Sequence, residues 1–274
     1  MGPPQTSKKR RGGQPKYSNR AIETALTVGM VFHLPLRQTE GFLTSLFELL
    51  RLSAPVPDHT TISRRAAKLG KISFHAGKQG TAVHILVDSS GLRVHSGAMR
   101  KPPKDRDWRK LHLALDAKTG VVVACDLSRK QAKDASRVPA LLGQVRPPMA
   151  SLTADAAYDE RFVYEAACQH SPSRSPRVLI PPKRNAIPGI GSHVMEERNR
   201  NIRARKRLGK RVWLAASGYN RRSLIENAFY RYKRIFGPAM RSRRLATQRV
   251  EARIGVKILN RMTVLGMPES YIVA

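Results

Sequence analysis

Three acids in this sequence stand where a carboxylate can do chemistry. Asp88 and Asp155 each close a short apolar run, Val83-His84-Ile85-Leu86-Val87 and Ser151-Leu152-Thr153-Ala154. Strand ends are where side chains pass from a buried sheet into a cleft. Glu226 lies in the tract 198–261, which is crowded with Lys and Arg and holds one other acid, Glu251. An acid kept in such surroundings either pairs with a neighbouring arginine or holds a metal ion beside a bound anion. Its neighbours sharpen that choice. Tyr219, Arg222, Glu226 and Lys233 are three, four and seven residues apart, so at about 100° per residue they share a narrow arc of one helix. Arg and Lys grip phosphates, and carboxylates are hard oxygen ligands suited to Mg²⁺, with Mn²⁺ able to substitute. A pair of such ions activates a water or a 3′-hydroxyl and stabilises the leaving oxygen in an in-line phosphoryl displacement. Asp88, Asp155 and Glu226 are therefore the candidate catalytic and metal-binding residues.

The elements that must position these residues can be read from periodicity. Val83–Val87 reads as a buried strand that ends in a turn at Asp88-Ser89-Ser90-Gly91, with Gly91–His95 as a returning hairpin strand. Trp108–Asp116 alternates, and Lys118-Thr119-Gly120 turns it into Val121–Cys125. Ala135–Leu142 is helical; Ser151–Asp159 is a short strand running into a helix through Tyr164 and Ala167. Arg177–Pro182 is a last strand and Arg222–Leu265 is strongly helical. The order predicts a mixed sheet flanked by helices, an α/β architecture compatible with a ribonuclease-H-like fold.

Ahead of this core, residues 1–17 read as a flexible basic arm rich in Pro and Gly. Residues 18–75 read as a small all-helical domain. Ser18 or Asn19 caps a helix striped by Ile22, Leu26, Gly29 and His33, which Pro35 ends. Phe42, Leu43, Leu46, Leu49 and Leu50 recur at helical spacing in a second helix. Asp58 caps a third that carries Arg64 and Arg65, and Gly70 stops it. Three short helices of this kind are compatible with a DNA-binding helix-turn-helix, with Arg64 and Arg65 as DNA contacts. Residues 183–217 form a polar, basic insertion and 266–274 a tail.

Composition narrows the partner. The chain has 274 residues with 51 Lys+Arg against 19 Asp+Glu, a formal net charge of +32. Such a charge repels itself when folded, and a polyanion is its natural partner; nucleic acid is the first candidate. Two cysteines, Cys125 and Cys168, exclude a disulfide framework and a Cys-based zinc site. The uncharged stretch Thr24–Leu36 is too short to span a bilayer, which takes about 20 apolar residues.

The helix bearing Tyr219, Arg222, Glu226 and Lys233 resembles the signature of DDE transposases of bacterial insertion sequences, in the IS-four and IS-five superfamily. Further stretches are similar to the IS-five type: Leu34–Leu43, Val56–Arg65, Trp108–Leu113, Thr153–Asp159 and Ile258–Met262. Ala156 stands where Gly is common in that family. The resemblance implies a ribonuclease-H-like catalytic domain over 80–265, with Asp88, Asp155 and Glu226 as its Mg²⁺-binding triad. It implies cleavage at terminal inverted repeats, joining of 3′ ends to double-stranded target DNA, and a homodimer or higher assembly on DNA. It further implies a cytoplasmic, nucleoid-associated protein, with Tyr219, Arg222 and Lys233 contacting the transferred end. The rival readings are a non-catalytic basic nucleic-acid-binding protein and a nuclease or resolvase of the same fold.

The remaining chemistry-bearing residues have plainer readings. Asp116 belongs to a hairpin turn and Asp159 to a helix cap. Asp105, Asp107, Asp126 and Asp134 read as solvated turn residues. His84 and His112 read as core histidines, and Trp108 and Trp213 as packing residues.

Overall fold

The structure, a computed structural model, describes residues 16–69, 74, 82–94, 108–171, 175–189 and 193–266. Most of the basic arm, His95, Asp105, Asp107 and most of the C-terminal tail lie outside the described residues.

Three helices open the chain: α1 (Asn19–Val31), α2 (Leu36–Leu49) and α3 (His59–Ala66). Ser18 caps α1 by accepting from the Ala21 amide, and Asp58 caps α3 by accepting from the Thr61 amide. Each satisfies an amide that lacks an intrahelical partner. Pro35 caps the start of α2 rather than only ending α1. The helices pack on Ala25, Leu43 and Ile62. The apolar repeat of α2 overstates its burial: Leu43 is covered, but Leu49 and Leu50 are 79% and 56% exposed. The three-helix unit shares the main core of the protein, because Ile22 is buried with the sheet and Leu26 and Met30 pack against it. Contact is close there: a Cβ on Gly255 would meet the Tyr232 ring at 2.7 Å and the Met30 methyl at 2.8 Å.

The sheet contains β1 (Val83–Val94), β2 (Trp108–Asp116), β3 (Val122–Arg129), β4 (Met149–Thr153), β5 (Arg177–Leu179) and β6 (Ala239–Met240). The strand order is β3-β2-β1-β4-β5, with β6 pairing to the far end of β1. β1, β2 and β3 are antiparallel neighbours, whereas β4, β5 and β6 join in parallel. This is a mixed sheet flanked by helices, of ribonuclease-H-like strand order. The expected turn at Asp88–Gly91 does not exist. β1 runs straight through it, because β2 pairs along its whole length from Ile85 to Arg93, and Leu92 resumes the buried alternation beyond the polar residues.

Residue alternation divides β1 between two cores. Leu86 and Leu92 face helices α7 (Ser223–Phe236) and α8 (Leu245–Leu265), together with Leu111, Leu113 and Leu115 of β2. Ile85 and Val87 face α4 (Val138–Leu142) and α5 (Arg161–His170). The basic segment 183–217 contains a long helix, α6 (Glu196–Ser217), bent at Gly209, whose φ of 75° only glycine adopts readily.

Candidate active site

Asp88 lies in the middle of β1, on the face covered by α7. The Ser89 amide donates to its Oδ1 at 2.8 Å. The parallel register pairs Leu86 with Thr153, so two residues on, Asp88 and Asp155 stand at the same level of adjacent strands. Asp155 has left the sheet and caps a short 3₁₀ turn, accepting from the Ala157 amide at 2.9 Å. Glu226 sits in the first turn of α7, with 54% of its side chain exposed.

Arg222 joins these elements. It ends a 3₁₀ turn, Tyr219–Arg222, that leads into α7. Its Nη1 donates to Asp88 Oδ2 at 2.6 Å, and its Nη2 donates to Glu226 Oε1. Burial works against its charge, but Asp88, Tyr219, Glu226 and Asp155 outweigh that and hold the guanidinium firmly protonated. The Tyr219 ring lies 5.9 Å from the guanidinium carbon and 6.5 Å from the Trp213 ring. Lys233, two turns further along α7, donates to Ser90 Oγ at 2.7 Å. Ser90 shares the Asp88 face of β1 and was hidden by the turn reading. The signal that finds it is the period of two in a continuous strand.

Tyr219, Arg222 and Glu226 thus meet as their spacing predicts, although Tyr219 and Arg222 precede α7 proper, and Lys233 reaches the same face of β1 at Ser90. Burial of Asp88 raises its pKa above the usual carboxylate range. The Ser89 amide and Arg222 oppose that rise and Asp155 reinforces it. Asp155 therefore lies within electrostatic reach of both Asp88 and Arg222. Among the described residues, no three of His, Cys, Asp and Glu are close enough to hold an ion as they stand. The guanidinium spans Asp88 and Glu226. The donor set itself, three carboxylates at one strand level and one helix start, has the hard-oxygen chemistry a divalent ion requires.

Other readings change on inspection. Arg64 is exposed and donates to Thr61 Oγ1. Arg65 instead donates to the Tyr17 carbonyl and, at 2.5 Å, to Asn19 Oδ1, pinning the chain ahead of α1. Asp159 does not cap α5. It is buried, paired with Arg198 Nε at 2.7 Å, and accepts from Tyr164 and the Lys183 amide. His84 is exposed and bonded to Ser151 Oγ at 2.8 Å, not in the core. Asp134 is half-buried, 2.9 Å from Lys110 Nζ, and Asp126 lies 3.8 Å from Arg137. His112 is fully buried and Asp116 receives its turn's amide and hydroxyl, both as read.

Residues 79–261 match the Transposase DDE domain, and residues 3–97 match a second family of the same description. The chain belongs to the DDE transposases. It is a DNA transposase, an enzyme that cuts DNA and transfers strands. It is also similar to the solved Drosophila P element transposase strand transfer complex, at 11% identity and a TM-score of 0.33, over 92% of this chain and 82% of that one. DDE transposases act with divalent metal. Among the described residues of this transposase, no helix is long and apolar enough to cross a membrane.

Proposed function

We propose that Asp88, Asp155 and Glu226 are the metal-binding acids of this transposase, with Mg²⁺ as the ion and Mn²⁺ able to replace it. On this reading the enzyme cuts at terminal inverted repeats and joins the 3′ ends to target DNA. The observation that carries it is the meeting of the three acids around one arginine. Asp88 and Glu226 bond to Arg222 directly, and Asp155 acts on it through its field. Three acids far apart in sequence come within reach of one guanidinium between β1, the end of β4 and α7.

A bound divalent ion would activate the attacking water or 3′-hydroxyl and steady the leaving oxygen. The chain's own residues do the rest. Asp88 and Asp155, on adjacent strands, fix one side of the site, and Glu226 closes it from α7. Arg222 neutralises the acids while no cation joins them. Its contacts are all made by a flexible side chain, so it can turn to a DNA phosphate once they are neutralised otherwise. Lys233 and Tyr219, on the same helical path as Arg222 and Glu226, hold the transferred end.

The wider reading follows. Residues 80–265 form the catalytic domain and 18–75 a helical unit that recognises the element ends, with Arg64 exposed for phosphate. The element is of the IS-five type, the assembly on DNA is a homodimer or larger, and the protein works in the cytoplasm at the nucleoid. The decisive experiment pairs cleavage with binding. Asp88→Asn, Asp155→Asn and Glu226→Gln should each abolish Mg²⁺-dependent cutting of inverted-repeat DNA while leaving DNA affinity intact or higher. Residual cutting by all three variants would overturn the triad.

A further inference from the structure

A hollow lies away from the three acids, at the end of the sheet beyond β3. It has a volume of about 640 Å³ and is lined by Arg129, Arg137 and Arg249, with Ser128, Gln131 and Leu245 among them. Arg129 ends β3, Arg137 lies just before α4, and Arg249 lies in the first turns of α8. No acid lines it. Arg137 is 3.8 Å from Asp126 outside the hollow, and its Nε is buried without a hydrogen-bond partner. Arg249 Nε reaches only the Leu127 carbonyl at 3.4 Å. Among the described residues, neither Arg129 nor Arg249 is ion-paired. With Arg137 within reach of Asp126, Arg129 and Arg249 still repel across one hollow unless an anion joins them, and guanidinium forks fit phosphate oxygens.

We infer that this hollow is a second DNA-binding site, which grips a backbone phosphate of the duplex being processed. The lining selects backbone over base. Among the described residues it contains no aromatic ring, and stacking of an unpaired base needs one. Its polar groups are cations, a hydroxyl and an amide, the usual set for sequence-independent phosphate contacts.

Its position suits the same duplex. Arg129 pairs with Arg109, which pairs with Leu92, four residues beyond Asp88 on β1 and two strands away. At about 3.3 Å per residue and 4.8 Å per strand, the separation from Asp88 is roughly 16 Å. That corresponds to about five base pairs along B-DNA. The inference draws on the chain being a DNA transposase; the expected distance from the cut also takes Asp88 as its marker, as proposed above, whereas the salt slope is independent of that reading.

The test is DNA binding without metal, so that it reads independently of catalysis. Arg129→Gln/Arg249→Gln should lower the slope of log affinity against log salt by about 1, equally on inverted-repeat and random duplex. Phosphate ethylation about five base pairs from the cut should interfere with wild-type binding and not with binding by this variant. Lys118→Gln/Arg146→Gln, exposed cations at the opposite end of the sheet, should leave slope and interference unchanged. Arg129→Lys/Arg249→Lys, which keeps both charges, should retain the wild-type slope; this separates lost charge from lost fold. An unchanged slope in the Gln variant, or an equal change in both Gln variants, would overturn the site. So would inorganic phosphate raising the Tm of the wild type alone while the DNA slope stays unaltered, because the hollow would then be a free-anion site.

Discussion

The two faces of β1 handle polar groups in opposite ways within three consecutive residues. On one face, Asp88 is tied to Arg222, just ahead of α7, and Ser90 to Lys233 of α7. On the other, Ser89 sits among groups that are buried and neutral. Its cross-strand neighbour His112 is fully buried. Burial pushes the His112 pKa down to about 4, against the opposing pull of Asp134 and Asp126. Tyr158 nearby is pushed the other way by the same burial, its phenol raised far above the usual range. A single strand thus separates a face whose charges are held by movable side chains from a face where burial keeps two titratable groups, His112 and Tyr158, neutral. The lesson is that net charge does not set the local chemistry of this protein. Burial decides which polar groups ionise, and reach from α7 decides which charges meet.

Removing the central cation breaks this contrast most strongly. Arg222→Gln leaves Asp88 and Glu226 without their shared counter-charge, and Asp155 faces them uncompensated. Loss of one positioned donor in an active site costs about 10² to 10³ in rate, so strand transfer from pre-cut ends should fall at least a hundredfold. The metal-free fold should weaken by about 2 kcal/mol, the order expected when a charged partner is left unsatisfied. Added Mg²⁺ should then raise the Tm of Arg222→Gln more than that of the wild type, because the guanidinium no longer competes for the carboxylates. A smaller Mg²⁺ shift in the variant would show that Arg222 is not their counter-ion.

The neutral face gives a pH signature. His112 has an ordinary pKa of 6.5 when unfolded and about 4 when folded. Above 6.5 it is neutral in both states and costs nothing. As the pH falls below 6.5 the unfolded chain takes up a proton that the folded protein refuses, so stability drops until about pH 4. Between pH 7.5 and 5 the loss is about 2 kcal/mol, at about 1.36 kcal/mol per pH unit below 6.5. His112→Gln keeps a polar group for the Ser128 hydroxyl, which lies 2.8 Å from Nε2, and has nothing to titrate. Urea unfolding at the two pH values should show this part of the acid sensitivity missing from the variant; equal sensitivity in both proteins would mean that His112 is not its source.

Much of this was legible in the sequence, for identifiable reasons. The spacing of Tyr219, Arg222, Glu226 and Lys233 is rigid because a helical path fixes it, so their convergence survived even though the first two lie in a 3₁₀ turn. Asp88 and Asp155 were singled out because each follows an apolar run. What failed were inferences from local composition. Asp-Ser-Ser-Gly has the composition of a turn, yet it is extended because β2 offers a partner along its full length. The α2 leucines recur with helical period but find no opposing surface. Asp159 looked like a cap because the Arg198 that neutralises it is 39 residues away. The hollow of Arg129, Arg137 and Arg249 could not be read at all, since Arg249 comes from a helix far along the chain from the other two.

The smallest expected effect tests the neutral face at a single atom. The Tyr158 hydroxyl is buried beside Ser89 and makes no hydrogen bond of ordinary geometry. A buried hydroxyl without a partner carries its desolvation cost uncompensated. Its ring, by contrast, is 2% exposed and packs with Val163 and Tyr164 in the core on this side of the sheet. Tyr158→Phe keeps the ring and deletes the unpaired atom. Stability should therefore be unchanged or rise by up to about 1 kcal/mol, a sign opposite to that of most core substitutions. Cutting activity should stay within twofold, since Asp88 points to the other face. A loss of 1 kcal/mol or more would mean that the hydroxyl has a working partner, and that the two faces of β1 are less different than their charges suggest.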